Sequence, residues 1–230
     1  MEIVLVRHGQ TPANRVRALD TSRPGLPLSE EGLIQADRLA ARWELEVAAP
    51  PTVVAVSPLT RTRQTAAPLC RKYAIEPLLR SGLRELRSGD IEMNDDVVSD
   101  MAYIEGTGAW ARGRHSLRMG GGETGREALA RVLPVILEVA SRVRQEGGER
   151  GVGVCVAHGA MLRLLAPTLA QNVDGELVMN HFMGNTGTVV LVWPAHFQPT
   201  SVSQLVGALT ARTWNDRPID EWSIPNQSAF

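Results

Sequence analysis

Lysine is almost absent from this chain: of 24 Lys and Arg residues, only Lys72 is a lysine. Any anion site here must therefore be built from arginine and histidine. Cysteine is equally scarce. Cys70 and Cys155 are too few and too far apart for a disulfide framework or a metal knuckle. Cys155 lies inside an apolar run, where a buried free thiol is expected. No HxxxH, CxxC or acidic triplet offers metal ligands, so neither metal nor cofactor is expected. No run reaches transmembrane length. The first apolar stretch is too short for a signal peptide and ends in Arg7-His8, so the expected setting is a reducing cytoplasm. A net charge of −1 gives no global reason to expect nucleic acid or an anionic membrane as partner.

What the chain does contain is a globular pattern. With 230 residues and 43% hydrophobic content it can bury a core as one domain, 1–230. Apolar runs expected as strands alternate with helical patterns. Ile3–Val6 reads as a strand, and Ser29 caps a helix expected to reach Trp43. Thr52–Val56 reads as the second strand, with Ser57 as N-cap and Pro58 as first residue of a helix to Tyr73. Thr124 and Glu127 have capping-box spacing and open a helix to about Gln145. Val152–Val156, Val189–Trp193 and a weaker run at Ser203–Leu209 complete the strands, with a helix from Ala160 to Leu169 between the first two. The expected fold class is α/β: a three-layer α/β/α arrangement with a mostly parallel central sheet and helices on both faces. Residues 88–123 read as a partly helical insertion near the mouth of the site. Residues 212–230 read as a polar tail on the surface, with its last few residues disordered.

Three strand ends carry polar residues: Val6-Arg7-His8-Gly9, Val56-Ser57-Pro58-Leu59-Thr60-Arg61 and Val156-Ala157-His158-Gly159. In a parallel sheet the carboxyl ends share one edge, where open α/β folds place ligands. Arg7, His8, Arg61 and His158 would then converge into a cationic cup for a tetrahedral anion. Arginine offers a planar fork to phosphate oxygens, and neutral imidazole is a nucleophile. Gly9 is expected to let the backbone turn sharply and approach a ligand. Taken singly, His8 reads more simply as a hydrogen-bonded structural histidine and Arg61 as a solvated helix residue. Their shared placement is what favours chemistry.

These segments resemble the signature of the histidine phosphatase superfamily, the phosphoglycerate-mutase-like proteins. Leu5-Val-Arg-His-Gly-Gln-Thr-x-x-Asn14 is similar to its opening motif. Ser57-x-Leu59-x-Arg61-x-x-x-Thr65-Ala66 resembles the second motif, and Ala157-His158-Gly159 the third. Glu85-x-x-x-Gly89-x-x-Glu92 is similar to the acid-bearing segment, and Leu28–Ala36 and Gly122-Glu123-Thr124 are minor landmarks. The likeness runs in order from about residue 3 to about residue 193. It implies that His8 becomes phosphohistidine while Arg7, Arg61 and His158 hold the phosphoryl oxygens. It implies that Glu85 donates the proton to the leaving oxygen, and that Gln10, Asn14 and Gly159 contact phosphate or substrate. No metal is needed in such a scheme.

Ile91 and Met93 stand where many relatives carry an aromatic residue and a glycine, which leaves Asp90 and Glu92 as competing acids. Arg112, Arg114 and Arg118 of the insertion read either as ligands for a substrate carboxylate or second phosphate, or as a solvated basic face. The expected function is a metal-independent phosphatase acting on a small phosphomonoester. A phosphoglycerate-type mutase is the alternative, disfavoured because the characteristic lysine and adjacent arginine pair are missing. A non-catalytic phospholigand-binding protein is the third reading, and a homodimer is plausible.

Overall fold

The computed structural model describes residues 1–222. Its strands are β1 (Glu2–Arg7), β2 (Val53–Val56), β3 (Leu78–Leu79), β4 (Val152–Ala157), β5 (Thr188–Val192), β6 (Thr210–Ala211), β7 (Thr213–Trp214) and β8 (Arg217–Pro218). The helices are α1 (Pro12–Val16), α2 (Glu30–Arg42), α3 (Thr60–Tyr73), α4 (Val97–Ala111), α5 (Gly125–Gly147), α6 (Gly159–Leu169) and α7 (Gly175–Asn180). The main sheet has the order β3-β2-β4-β1-β5-β6; β3, β2, β4 and β1 are parallel, β5 runs opposite to them, and β6 pairs antiparallel with β5. This is the expected mostly parallel sheet.

Alternation along the strands divides the core into two layers. Val4, Val6, Val54 and Val56 pack with Leu39, Trp43 and Leu69 from the α2 and α3 side. Ile3, Leu5, Ala55 and Cys155 pack with Ile136, Val139, Leu162 and Leu165 from α5 and α6. A strand buried on both faces needs apolar side chains at every position, which is why β1 and β4 read as continuous runs. Register then does the positioning. Val6 of β1 lies opposite Val156 of β4, and Val56 of β2 lies opposite the same residue. The three polar segments that follow therefore emerge at one level of one edge.

Three local expectations are corrected. Ser57 does not cap α3. The helix begins three residues later with Leu59 as its cap residue, because the Ser57 hydroxyl lies 2.8 Å from Nε2 of His158. Residues 203–209 do not form a strand. Ser201 and Gln204 form a capping box that starts a 3₁₀ turn at Val202–Leu205, and the edge strand is β6. Leu205 and Leu209 are both fully buried, and Leu209 makes an isolated parallel bridge to Ala170. Finally, residues 212–222 do more than lie on the surface. β7 and β8 form a hairpin whose two turn residues, Asn215 and Asp216, both have positive φ. Trp214 is fully buried and donates to the His181 carbonyl at 2.7 Å. The expectation of disorder at the last few residues lies outside the described residues.

The 88–123 segment carries α4, capped by Asp96, whose side chain accepts from the Ser99 amide at 2.9 Å. At its base Gly89 has φ +66°, and a β-carbon there would lie 2.0 Å from the Gly120 carbonyl. Only glycine fits this crossing. None of the described helices is long and apolar enough to cross a membrane.

Candidate active site

His8 follows β1 directly and is 4% exposed. Its Nδ1 lies 2.7 Å from the Gly9 carbonyl, which can only accept, so Nδ1 carries the proton and Nε2 keeps a free lone pair. Burial, then Arg61 and Arg7, hold the His8 pKa well below the usual histidine range. The ring is therefore neutral, with Nε2 free to act on a ligand. Its backbone is clamped as well: the carbonyl accepts from Asn185 Nδ2 at 3.1 Å, and the same amide reaches Asn14 Oδ1 at 3.2 Å.

Gly9 serves packing rather than a sharp turn at a ligand. A β-carbon there would meet the Gly32 carbonyl at 2.7 Å, and its amide donates to Thr65 Oγ1 at 2.9 Å. The glycine lets the N-terminus of α2 close on the nucleophile loop.

Two arginines flank the ring. Arg61, 2% exposed, donates to Asp20 through Nη1 at 3.2 Å and to the Asp20 carbonyl through Nη2 at 2.7 Å. Arg7 donates Nη1 to the Met183 carbonyl. Burial above all, with Arg163 and Arg61 adding to it, pushes the Arg7 pKa down to about 10, against a partial opposing pull from Glu85. Nε of Arg7, Nε of Arg61 and Nδ1 of His158 are buried without any partner. Buried donors are nearly always paired in folded proteins, so unpaired ones gathered around one histidine mark a place for acceptor oxygens. His158 is fully buried beside His8, their ring centroids 5.2 Å apart.

Of Glu85, Asp90 and Glu92, Glu85 is the one that lines the cavity, which Asp20 and Asp100 also border. Its Oε1 accepts from the amides of Met161 and Leu86, each at 2.9 Å, and its Oε2 from Ala160 at 3.3 Å. The start of α6 thus orients the carboxyl, as helix N-termini do for anions. Behind it Arg131 donates to the carbonyls of Gly82, Arg84 and Glu85 while paired at 2.6 Å with Glu123. The two competitors are placed elsewhere. Glu92 is saturated by the amides of Thr21 and Ser22, both at 2.8 Å, and by the hydroxyls of Thr21 and Ser88. Asp90 lies against Gly120 and Gly121 and does not line the cavity.

The cavity holds about 310 Å³ and is lined by Arg7, His8, Asn14, Arg61, Glu85 and Gly159 together with residues of α4, α6 and the 182–183 loop. A β-carbon on Gly159 would lie 3.2 Å from Arg7 Nε. Gln10 is not in the lining; its Oε1 accepts from the Ser29 hydroxyl at 2.9 Å and so braces the start of α2. Arg112 and Arg118 turn outward to Glu176 and Glu127, each at 2.6 Å, and Arg114 lies on a separate surface depression. The solvated reading of these three residues stands. Ser57, expected as a helix cap and part of the second motif, instead backs His158, and three contributors were not anticipated from sequence: Asp20 behind Arg61, Asn185 behind His8, and Arg163 in the wall. A signal existed only for Arg163, the single charged residue of α6.

Comparison with known proteins follows the same lines. Residues 3–202 match the histidine phosphatase superfamily (branch 1). Over 97% of its length the chain is 29% identical to the PE-PGRS family protein PE_PGRS11 of Mycobacterium tuberculosis, covering 38% of that protein. Over 44% of its length it is 35% identical to a Photorhabdus laumondii protein named "Probable phosphoglycerate mutase GpmB", covering 46% of it. The chain thus matches less than half the length of each of these relatives. Among solved structures, a mycobacterial glucosyl-3-phosphoglycerate phosphatase superposes with a TM-score of 0.72 at 24% identity, covering 93% of this chain and 98% of that one.

Proposed function

The chain belongs to branch 1 of the histidine phosphatase superfamily, and from that membership we propose that it is a metal-independent phosphatase for small phosphomonoesters, with His8 as nucleophile. The observation that carries this reading is the free Nε2 of a neutral His8 set among unpaired guanidinium nitrogens of Arg7 and Arg61. Phosphoryl transfer asks chiefly for in-line positioning and fixed positive charge, and this cup supplies both.

In the first step His8 Nε2 forms a bond to phosphorus as the ester P–O bond breaks. Arg7, Arg61 and His158 stabilise the equatorial oxygens, and protonated Glu85 gives its proton to the departing alkoxide. In the second step Glu85 takes a proton from water as the water oxygen attacks phosphorus. The P–N bond then breaks, releasing inorganic phosphate and restoring His8. Asn14 and Gly159 flank the bound ester. The only partner in this reading is the small substrate, handled in a reducing cytoplasm.

A mutase reading draws on the Photorhabdus relative. Such an enzyme would need to hold the phosphohistidine dry and return it to a second hydroxyl. The outward ion pairs of Arg112 and Arg118 leave the insertion without the anion clamp expected for that task.

The test is inorganic phosphate release from a panel of phosphomonoesters in the presence of a chelator. Wild type should turn over, and His8→Ala should lose at least about a thousandfold in kcat while keeping its fold. Retained turnover in His8→Ala would overturn the phosphohistidine scheme.

A further inference from the structure

One buried charge in the cavity is left over once a phosphoryl group is seated. Arg163 stands one turn beyond the α6 amides that hold Glu85 and is 8% exposed. Its guanidinium lies 4.3 Å over the Phe182 ring, and Nη2 reaches the Thr107 hydroxyl at 3.4 Å. Its Nε is buried with no partner, and the side chain joins no ion pair among the described residues. Tyr103, Glu85 and Asp100 face Arg163 without bonding to it: Glu85 accepts from backbone amides, and Asp100 lies 3.6 Å from the exposed Arg17, while the nearby Arg61 pairs with Asp20. A guanidinium keeps its charge under physiological conditions, and leaving one buried and unpaired is costly. The rest of α6 around it, from Ala160 to Ala166, is alanine, methionine and leucine, so packing alone would place an apolar residue here. Arg163 nevertheless lines the same cavity as His8.

We infer that Arg163 anchors a second anionic group, a carboxylate or a phosphate, on the molecule whose phosphoryl group lies against His8. The inference rests on the phosphatase reading and narrows its substrate class to compact phosphomonoesters bearing two anionic groups. The cavity of about 310 Å³ suits a short linker between the groups. Ile104 and the half-exposed Phe182 give the linker an apolar wall. A two-anion ligand would neutralise both guanidiniums that lack carboxylate partners, Arg7 and Arg163.

Calorimetric binding to the full chain tests this without turnover. The probes are phosphonoacetate, 3-phosphonopropionate and 4-phosphonobutyrate, each paired with the alkyl phosphonate and the bisphosphonate of equal length. At one chain length the carboxylate or the second phosphonate should strengthen wild-type binding about tenfold or more. Arg163→Met should remove that gain, and Arg163→Lys should restore part of it. Equal weakening of both probe types in Arg163→Met would assign Arg163 to the phosphoryl group and overturn the inference. So would the absence of a gain at every length in wild type, both from the carboxylate and from the bisphosphonate of the same length. If Arg163→Met does not fold, the wild-type and Arg163→Lys comparisons decide. A chain that releases no phosphate from any ester would sink the phosphatase reading and leave this binding comparison intact. A missing gain beside robust phosphate release would do the reverse.

Discussion

The cup and the far wall of the cavity are built in different ways. The cup comes from strand ends: β1 delivers Arg7 and His8, β2 leads to Arg61, and β4 delivers His158, all levelled by sheet register. The wall comes from helices and loops remote in sequence: Asp100, Tyr103 and Ile104 of α4, Arg163 of α6, and Phe182 and Met183. Backbone hydrogen bonds set the first region, whereas side-chain packing sets the second. The cup is therefore suited to a constant chemical step and the wall to a particular ligand.

The comparison breaks most sharply at Glu85, where the cup meets α6. Glu85→Gln should slow alkyl phosphates by about 10²- to 10⁴-fold and an aryl phosphate with a good leaving group by less than about tenfold. Equal loss on both classes, measured as kcat, would assign the proton to another group.

The cup should also announce itself in stability. Burial and nearby guanidiniums depress the pKa values of both His8 and His158. Below about pH 6.5 the unfolded chain binds both protons and the native chain does not, so stability falls with pH by up to about 1.4 kcal/mol per unit for each histidine. The loss continues downward until the native pKa values are reached. Melting curves should show a steep acid slope in wild type, a shallower one in His8→Ala, and flattening under saturating inorganic phosphate. An acid slope untouched by His8→Ala would assign it to other groups.

A smaller effect is expected behind the cup. Ser57→Ala removes the 2.8 Å contact to His158 and should cost about tenfold in kcat with little change in KM. Smallest of all are the outward arginines of the insertion. Arg112→Ala and Arg118→Ala should leave KM within about twofold, because exposed ion pairs contribute little. A large KM rise in either would move the wall's boundary outward to include them.

Legibility in the sequence divides along the same line. Arg7, His8, Arg61 and His158 were readable because each follows an apolar run that could only be a buried strand. Glu85 was identifiable only through the resemblance, since no local periodicity separates it from Asp90 or Glu92; what distinguishes it is the N-terminus of α6, a contact made 75 residues away. Ser57-Pro58 has the chemistry of a helix start, but the hydroxyl is taken up by His158. Gln10 has the chemistry of a phosphate ligand, but it holds Ser29. In both cases tertiary contacts override a sound local preference. Arg163 stands out in the sequence only as the single charged residue of an apolar helix, and its lack of a partner appears only once the chain is folded.

The hairpin turn at Asn215 and Asp216 ties the site to a distant stretch of the chain. Asn215 accepts from the Gly184 amide at 2.8 Å, and Asp216 accepts from Thr188 and from Arg42 of α2. Between these anchors lie the Met183 carbonyl that holds Arg7 and the Asn185 amide that holds the His8 carbonyl. His8 and the hairpin that backs it thus lie some two hundred residues apart in the chain. A chain cut before Asp216 carries Arg7 and His8 without the clamp that aims them. Deleting the hairpin should therefore loosen the positions of Arg7 and His8 together rather than one at a time.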